Sequence, residues 1–141
     1  MIAIDTNVLL RYLLLDDEIQ AKKAAFLIES RQSVYISHVV LVEAVWTLKG
    51  RKYKLTPTQI DATITALFEE RNIIIQDEQL VWRALADYRR HAVEGNSKLD
   101  FSDALIMHAG RDAAEYYGEK FGGFYTFDVA ARESLRGAKS P

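Results

Sequence analysis

The chain has 141 residues, 49% of them apolar and 27% charged, a composition suited to one globular domain spanning residues 1–141. It contains no cysteine, which excludes a disulfide scaffold and any thiolate-held metal. The formal net charge is −2, from 18 Lys plus Arg against 20 Asp plus Glu, so no global field draws it toward nucleic acid. A polyanion has to be met by a local patch or by a metal.

Met1 to Asp5 is a short β-branched run closed by the turn-prone Asp5-Thr6-Asn7 and reads as a buried strand rather than a signal peptide. Strong helix formers follow from Asn7 to Leu15, and Asp16-Asp17-Glu18 opens a second helix to about Glu29. Ser33 to Ser37 predicts a strand, with Ser37 capping a helix from His38 to Gly50. Thr56-Pro57 opens a helix carrying Ile60, Ile64, Leu67 and Phe68 and ending at Asn72. Ile73-Ile74-Ile75 reads as a strand buried on both faces, and Asp77 as the cap of a helix reaching about Val93. After a polar loop from Glu94 to Lys98, Asp100-Phe101-Ser102-Asp103 opens a helix that ends near Gly118. Gly122 to Phe127 predicts a further strand, and Asp128 to Leu135 a last short helix. Strands alternating with helical crossovers indicate a three-layer α/β/α sandwich around a central, mainly parallel sheet of about four to five strands. No apolar stretch approaches the roughly 20 residues that span a bilayer, so a soluble protein is expected, and the absence of cysteine fits the reducing cytoplasm.

In an open parallel sheet, ligands bind beyond the carboxyl ends of the strands. Asp5 and Asp128 each terminate a strand there, a place where Asp also serves simply as a helix cap. Glu43 lies within Val39-Val40-Leu41-Val42-Glu43-Ala44-Val45-Trp46, a helix apolar on nearly all sides. A carboxylate buried there must be paired, protonated or bound to a cation, and a salt bridge with a distant Lys or Arg is the alternative. Asp103 sits in a first helical turn with Asp100 three residues earlier, an arrangement that helix-start chemistry also explains. Gathered at one edge, Asp5, Glu43, Asp103 and Asp128 suit a hard divalent cation, Mg²⁺ or Mn²⁺, whereas His38, His91 and His108 show no ligand spacing. One or two such ions activate water for attack at phosphorus, which points to phosphodiester hydrolysis.

Ile4-Asp5-Thr6-Asn7-Val8-Leu9, the lone Glu43, Asp100-Phe101-Ser102-Asp103-Ala104-Leu105-Ile106 and Thr126-Phe127-Asp128 resemble, in that order, the motifs of PIN-domain nucleases. The small size and the Arg11-Tyr12-Leu13 continuation resemble the VapC toxins of prokaryotic toxin–antitoxin pairs. The resemblance implies that Asp5, Glu43, Asp103 and Asp128 form the acidic metal site, with Asp100 as an extra ligand or a cap. It implies that Thr6 and Asn7 support the first acid, Asn7 by orienting its carboxylate, and that Thr126 supports the last. It further implies a ribonuclease acting on structured RNA such as tRNA or rRNA, a homodimer, and a small VapB-like antitoxin that masks the site.

Lys49-Gly50-Arg51-Lys52-Tyr53-Lys54 is the one dense basic run; Lys49, Arg51 and Lys52 are candidates for phosphate contact, against the alternative of a solvated helix-terminating loop. Arg11 either pairs with a carboxylate or contacts substrate. Trp46, Trp82, Tyr88, Phe101, Tyr116 and Tyr117 read as core or subunit surface rather than base-stacking platforms. An aspartyl-phosphate phosphatase would want a second acid two residues after Asp5, where the chain has Asn7, and a receiver domain wants an acidic pair before its first helix. The non-enzymatic alternative is a PIN-like module that binds RNA or protein without cutting.

Overall fold

The β-branched runs and helical apolar spacings resolve into a mixed α/β architecture with seven α-helices and parallel strand pairing. The computed structural model describes residues 1–141. In chain order the elements are β1 (Ile2–Ala3), α1 (Thr6–Leu14), α2 (Glu18–Ile28), β2 (Val34–Ile36), α3 (His38–Lys49), α4 (Pro57–Glu69), β3 (Ile73–Ile75), α5 (Glu78–Tyr88), α6 (Phe101–Tyr116), β4 (Phe124–Tyr125), α7 (Val129–Ser134) and β5 (Ala138–Lys139). The chain divides into two compact units, Met1–Glu78 and Gln79–Pro141.

In the first unit the strand order is β1-β2-β3, all parallel, with Ile2 opposite Val34, and Val34 opposite Ile73. Parallel neighbours need a helical crossover, and α1–α2 and α3–α4 supply the two. Val34, Ile36, Ile73 and Ile75 are buried, while Tyr35 and Ile74 between them are only half-buried, so β2 and β3 alternate rather than hide both faces equally. Local chemistry sets the helix starts. Asp17 caps α2 and Ser37 caps α3, each accepting a backbone N–H. Thr56 and Gln59 form a reciprocal capping box on α4, with Pro57 in the first turn. Leu15 ends α1 in the left-handed region at φ 54°. His38, which shows no ligand spacing in the sequence, donates its N–H to Gln76 Oε1 at 2.9 Å, and its Nε2 lies 2.7 Å from the Gln76 carbonyl, tying the start of α3 to the end of β3.

In the second unit β4 pairs in parallel with β5, Phe124 opposite Ala138. Five strands are therefore present, but as a three-stranded and a two-stranded ladder. β5 has no signal in the sequence, because Gly137-Ala138-Lys139 has neither length nor β-branched character. Asp77 adopts φ 45° instead of the extended conformation of a cap. The helix expected to reach Val93 changes at Arg89 into a π-helical turn through Val93. Gly95 closes it, where a Cβ would come within 2.9 Å of the His91 carbonyl oxygen. Arg83 pairs with Asp112 at 3.0 Å, and His108 Nε2 meets Asp87 Oδ2 at 2.7 Å, so a charged and a half-buried polar contact both link α5 to α6. Tyr88 and Phe101 are fully buried and meet edge to face at 6.0 Å.

Phe101→Ala is expected to destabilise the protein by about 3–5 kcal/mol, since it removes a fully buried ring and leaves a cavity beside Tyr88. Urea denaturation checks this, and a loss below about 1 kcal/mol would show that the ring does not hold this core.

Candidate active site

At the end of β1 the chain passes from buried Ile4 straight into α1, whose first N–H groups need acceptors. Asp5 supplies one: its Oδ1 accepts from the Val8 N–H at 2.9 Å, and the cap leaves Oδ2 without a protein donor on an exposed residue. The next residue, Thr6, donates its hydroxyl to Glu43 Oε2 at 2.5 Å. That bond joins α1 to α3 and places the second candidate acid beside the residue that follows the first.

Glu43 is not the buried carboxylate that its apolar neighbours suggested. α3 buries Leu41, Ala44, Val45 and Leu48 and leaves Val39 at 65% and Trp46 at 55% exposed, with Glu43 exposed between them. Apolar residues on both faces disguise which stripe turns inward. The carboxylate therefore has no burial cost for a cation to offset, and its one protein donor is Thr6.

Asp5 at the cap of α1, with Asn7 and Arg11 of that helix, lines a cavity of about 270 Å³ together with Gln20, Lys23 and Leu27 of α2. Lys23 carries no signal in the sequence, because it is 18 positions from Asp5 and lines the same cavity only through the α1–α2 corner. Arg11 donates through Nε to Gln20 at 2.7 Å and through Nη1 to both oxygens of Asp16, at 2.8 and 2.9 Å. Asp16 also accepts from the Tyr53 hydroxyl at 2.9 Å and lies 4.0 Å from Lys52 Nζ. The basic run is thus anchored at its aromatic residue, while Lys52 and Arg51 remain exposed and Lys49 is half-buried at the end of α3. Asp16, unremarkable in sequence, is the anchor.

In the second unit Asp103 occupies the first turn of α6, half-buried. Asp100 stands at the N-cap position without making the side-chain cap bond, so the cap explanation for this acid loses its support. Asp128 caps α7, its Oδ1 accepting from the Ala131 N–H at 2.7 Å, and the Thr126 hydroxyl accepts from the Asp128 N–H at 3.0 Å. Thr126 thereby holds the backbone of the acid two residues on.

The PIN domain family model matches residues 2–118. The chain belongs to the PIN domain family. PIN domains are generally nucleases, commonly metal-dependent, and the membership suggests a hydrolase that binds RNA. A comparison with curated proteins gives no match. The matched span of this PIN domain contains Asp5, Glu43, Asp100 and Asp103 and stops short of Asp128. No helix is long and apolar enough to cross a membrane.

The donors fit a hard divalent cation in kind, being oxygen only, with Asp5 Oδ2 and Glu43 Oε1 not engaged by protein donors. No group of three His, Asp or Glu side chains is gathered closely enough to hold a metal alone. That pattern differs from a preformed zinc or calcium cage; Mg²⁺ commonly uses one or two carboxylates and completes its shell with water and substrate phosphate.

The Arg11 hydrogen bond, followed by that of Tyr53, holds the Asp16 carboxyl below its ordinary 3.8. A carboxyl depressed on folding stabilises the fold above its unfolded value and loses that contribution as pH falls through the lower folded value. Below about pH 4, Asp16→Asn should therefore lose less stability on acidification than the wild type does, as read from urea midpoints on stepping the pH down. Parallel curves would show that the Asp16 anchor does not carry this dependence.

Proposed function

We propose that residues 1–141 form one PIN domain acting as a Mg²⁺-dependent endoribonuclease, with Mn²⁺ as a substitute, and that it is the toxin of a VapBC-type pair. The observation that carries the reading is the Thr6–Glu43 hydrogen bond inside the matched span, since the residue following the first acid grips the second. The order of the acid motifs along the chain and the Arg11-Tyr12-Leu13 continuation support the finer assignment. A VapB-like antitoxin, a homodimer, a cytoplasmic location and a structured target such as tRNA or rRNA follow from the VapC resemblance.

In this reading Asp5 and Glu43 of the first unit and Asp103 and Asp128 of the second are the acids that would hold the cation, with Asp100 as an additional acid. When bound, Mg²⁺ supplies an activated water and offsets charge on the phosphate and the leaving oxygen. The chain's own residues prepare that event. The Val8 N–H fixes Asp5 through Oδ1 and keeps Oδ2 for the cation, and Thr6 fixes the rotamer of Glu43 through Oε2. Thr126 sets the backbone of Asp128, and Asn7 would orient the Asp5 carboxylate, as the family resemblance implies. Arg11, locked by Asp16 and Gln20, presents Nη2 to a substrate phosphate, joined by Lys49, Arg51 and Lys52.

Incubating the purified protein with total RNA and Mg²⁺, and sequencing the new ends, should give discrete cuts that vanish with EDTA and with Asp5→Asn. Identical end maps for wild type and Asp5→Asn would leave the acids as caps and the protein as a binding module. Thr6→Val should raise the Mg²⁺ concentration for half-maximal cleavage by about 10- to 100-fold, and Thr6→Ser should restore it. An unchanged Mg²⁺ requirement in Thr6→Val would remove Thr6 from the site.

A further inference from the structure

β4, the turn after it and the start of α7 expose an apolar side chain at every second position: Tyr125 at 58%, Phe127 at 81% and Val129 at 55%. Phe127 immediately precedes Asp128, whose carboxylate is fixed by the α7 cap. An aromatic ring so exposed contributes nothing to the core, and two of them lie three and one residues before the acid Asp128. A cation is built into the same place. Lys139 on β5 has its Nζ 5.8 Å from the Tyr125 ring centroid and donates to the Gly122 carbonyl at 2.7 Å. Gly123, at φ 131°, makes room for it, because a Cβ there would lie 3.0 Å from Lys139 Cε. The lysine is thus positioned on the strand ladder and keeps further N–H groups for an anion.

We propose that Tyr125 and Phe127 form a stacking platform for an unpaired base of the RNA, with Lys139 meeting the adjoining phosphate. Exposed rings with a cation alongside match the two chemistries of a single nucleotide, a π-face and a negative charge. One nucleotide supplies both the π-face and the negative charge, whereas a protein partner would have to bring an apolar and an acidic side chain together at this spot. The inference takes the RNA substrate from the proposed function, but it concerns binding, which can be measured without cleavage.

Binding of a short fluorescein-labelled single-stranded RNA is followed by anisotropy in EDTA, so that no cutting intervenes. Tyr125→Ala and Phe127→Ala should each weaken binding about tenfold, Phe127→Trp should preserve it, and Lys139→Gln should lower the salt dependence by about one phosphate contact. All these side chains are exposed, and thermal melts of the variants should match the wild type. An affinity for the double alanine variant within about twofold of wild type, or no RNA binding by the wild type, overturns the platform. So does a change in sedimentation without a change in RNA affinity, which would assign the rings to a protein contact. If Asp5→Asn leaves cleavage untouched while the ring variants lose RNA, the nuclease reading fails and the platform stands. If metal-dependent cutting persists with an unaltered KM in the ring variants, the platform fails and the nuclease reading stands.

Discussion

A helix that starts directly after a strand delivers several unsatisfied N–H groups to the edge of a sheet, and an acceptor has to be there. In this chain the acceptors are Asp5 after β1, Ser37 after β2 and Asp128 after β4. The constraint is structural, yet it has a chemical by-product. An Asp used as a cap is gripped through one oxygen by the backbone and keeps the other, so its position is fixed while half of its ligand capacity remains. The candidate acids at 5 and 128 are built in this way; Thr126 adds a second restraint on Asp128 through its backbone N–H, whereas Thr6 restrains Glu43.

Arg11 shows how the same economy operates among the cations. Its guanidinium closes the corner between α1 and α2 by bonding to Asp16 and Gln20, and Asp16 in turn receives Tyr53 from the basic run. A single exposed carboxylate thus organises two otherwise separate groups of positive charge within the first unit. Ion pairs of this kind add little stability at a surface. Their effect is to restrict where charge can be presented.

The caps and strand ends were legible because their chemistry is local: Thr56-Pro57 with Gln59, Ser37 before an apolar run, and Ile73-Ile74-Ile75 each carry their own signal. The ordered acids were legible as a family pattern, and the match over residues 2–118 places the chain in that family. What was not legible depends on distant residues. The exposure of Glu43 could not be read from a helix with apolar side chains all round, and the seat of Lys23 in the cavity that Asp5 lines required the α1–α2 corner. The two-residue β5 and the left-handed Asp77 have no pattern long enough to read, since pairing or packing elsewhere decides them. Asp100 is the converse case, a favourable cap residue whose side chain does not make the cap bond.

The pairing of β4 with β5 bears on the order in which the chain can be completed. β4 has β5 as its ladder partner, and β5 lies at Ala138–Lys139, beyond the matched family span. During synthesis the segment carrying Thr126 and Asp128 emerges before the strand that hydrogen-bonds to it. The β4–β5 ladder therefore cannot close until Ala138 and Lys139 have been made, whereas the bonds from Ala131 and to Thr126 that hold Asp128 are local and need no later strand.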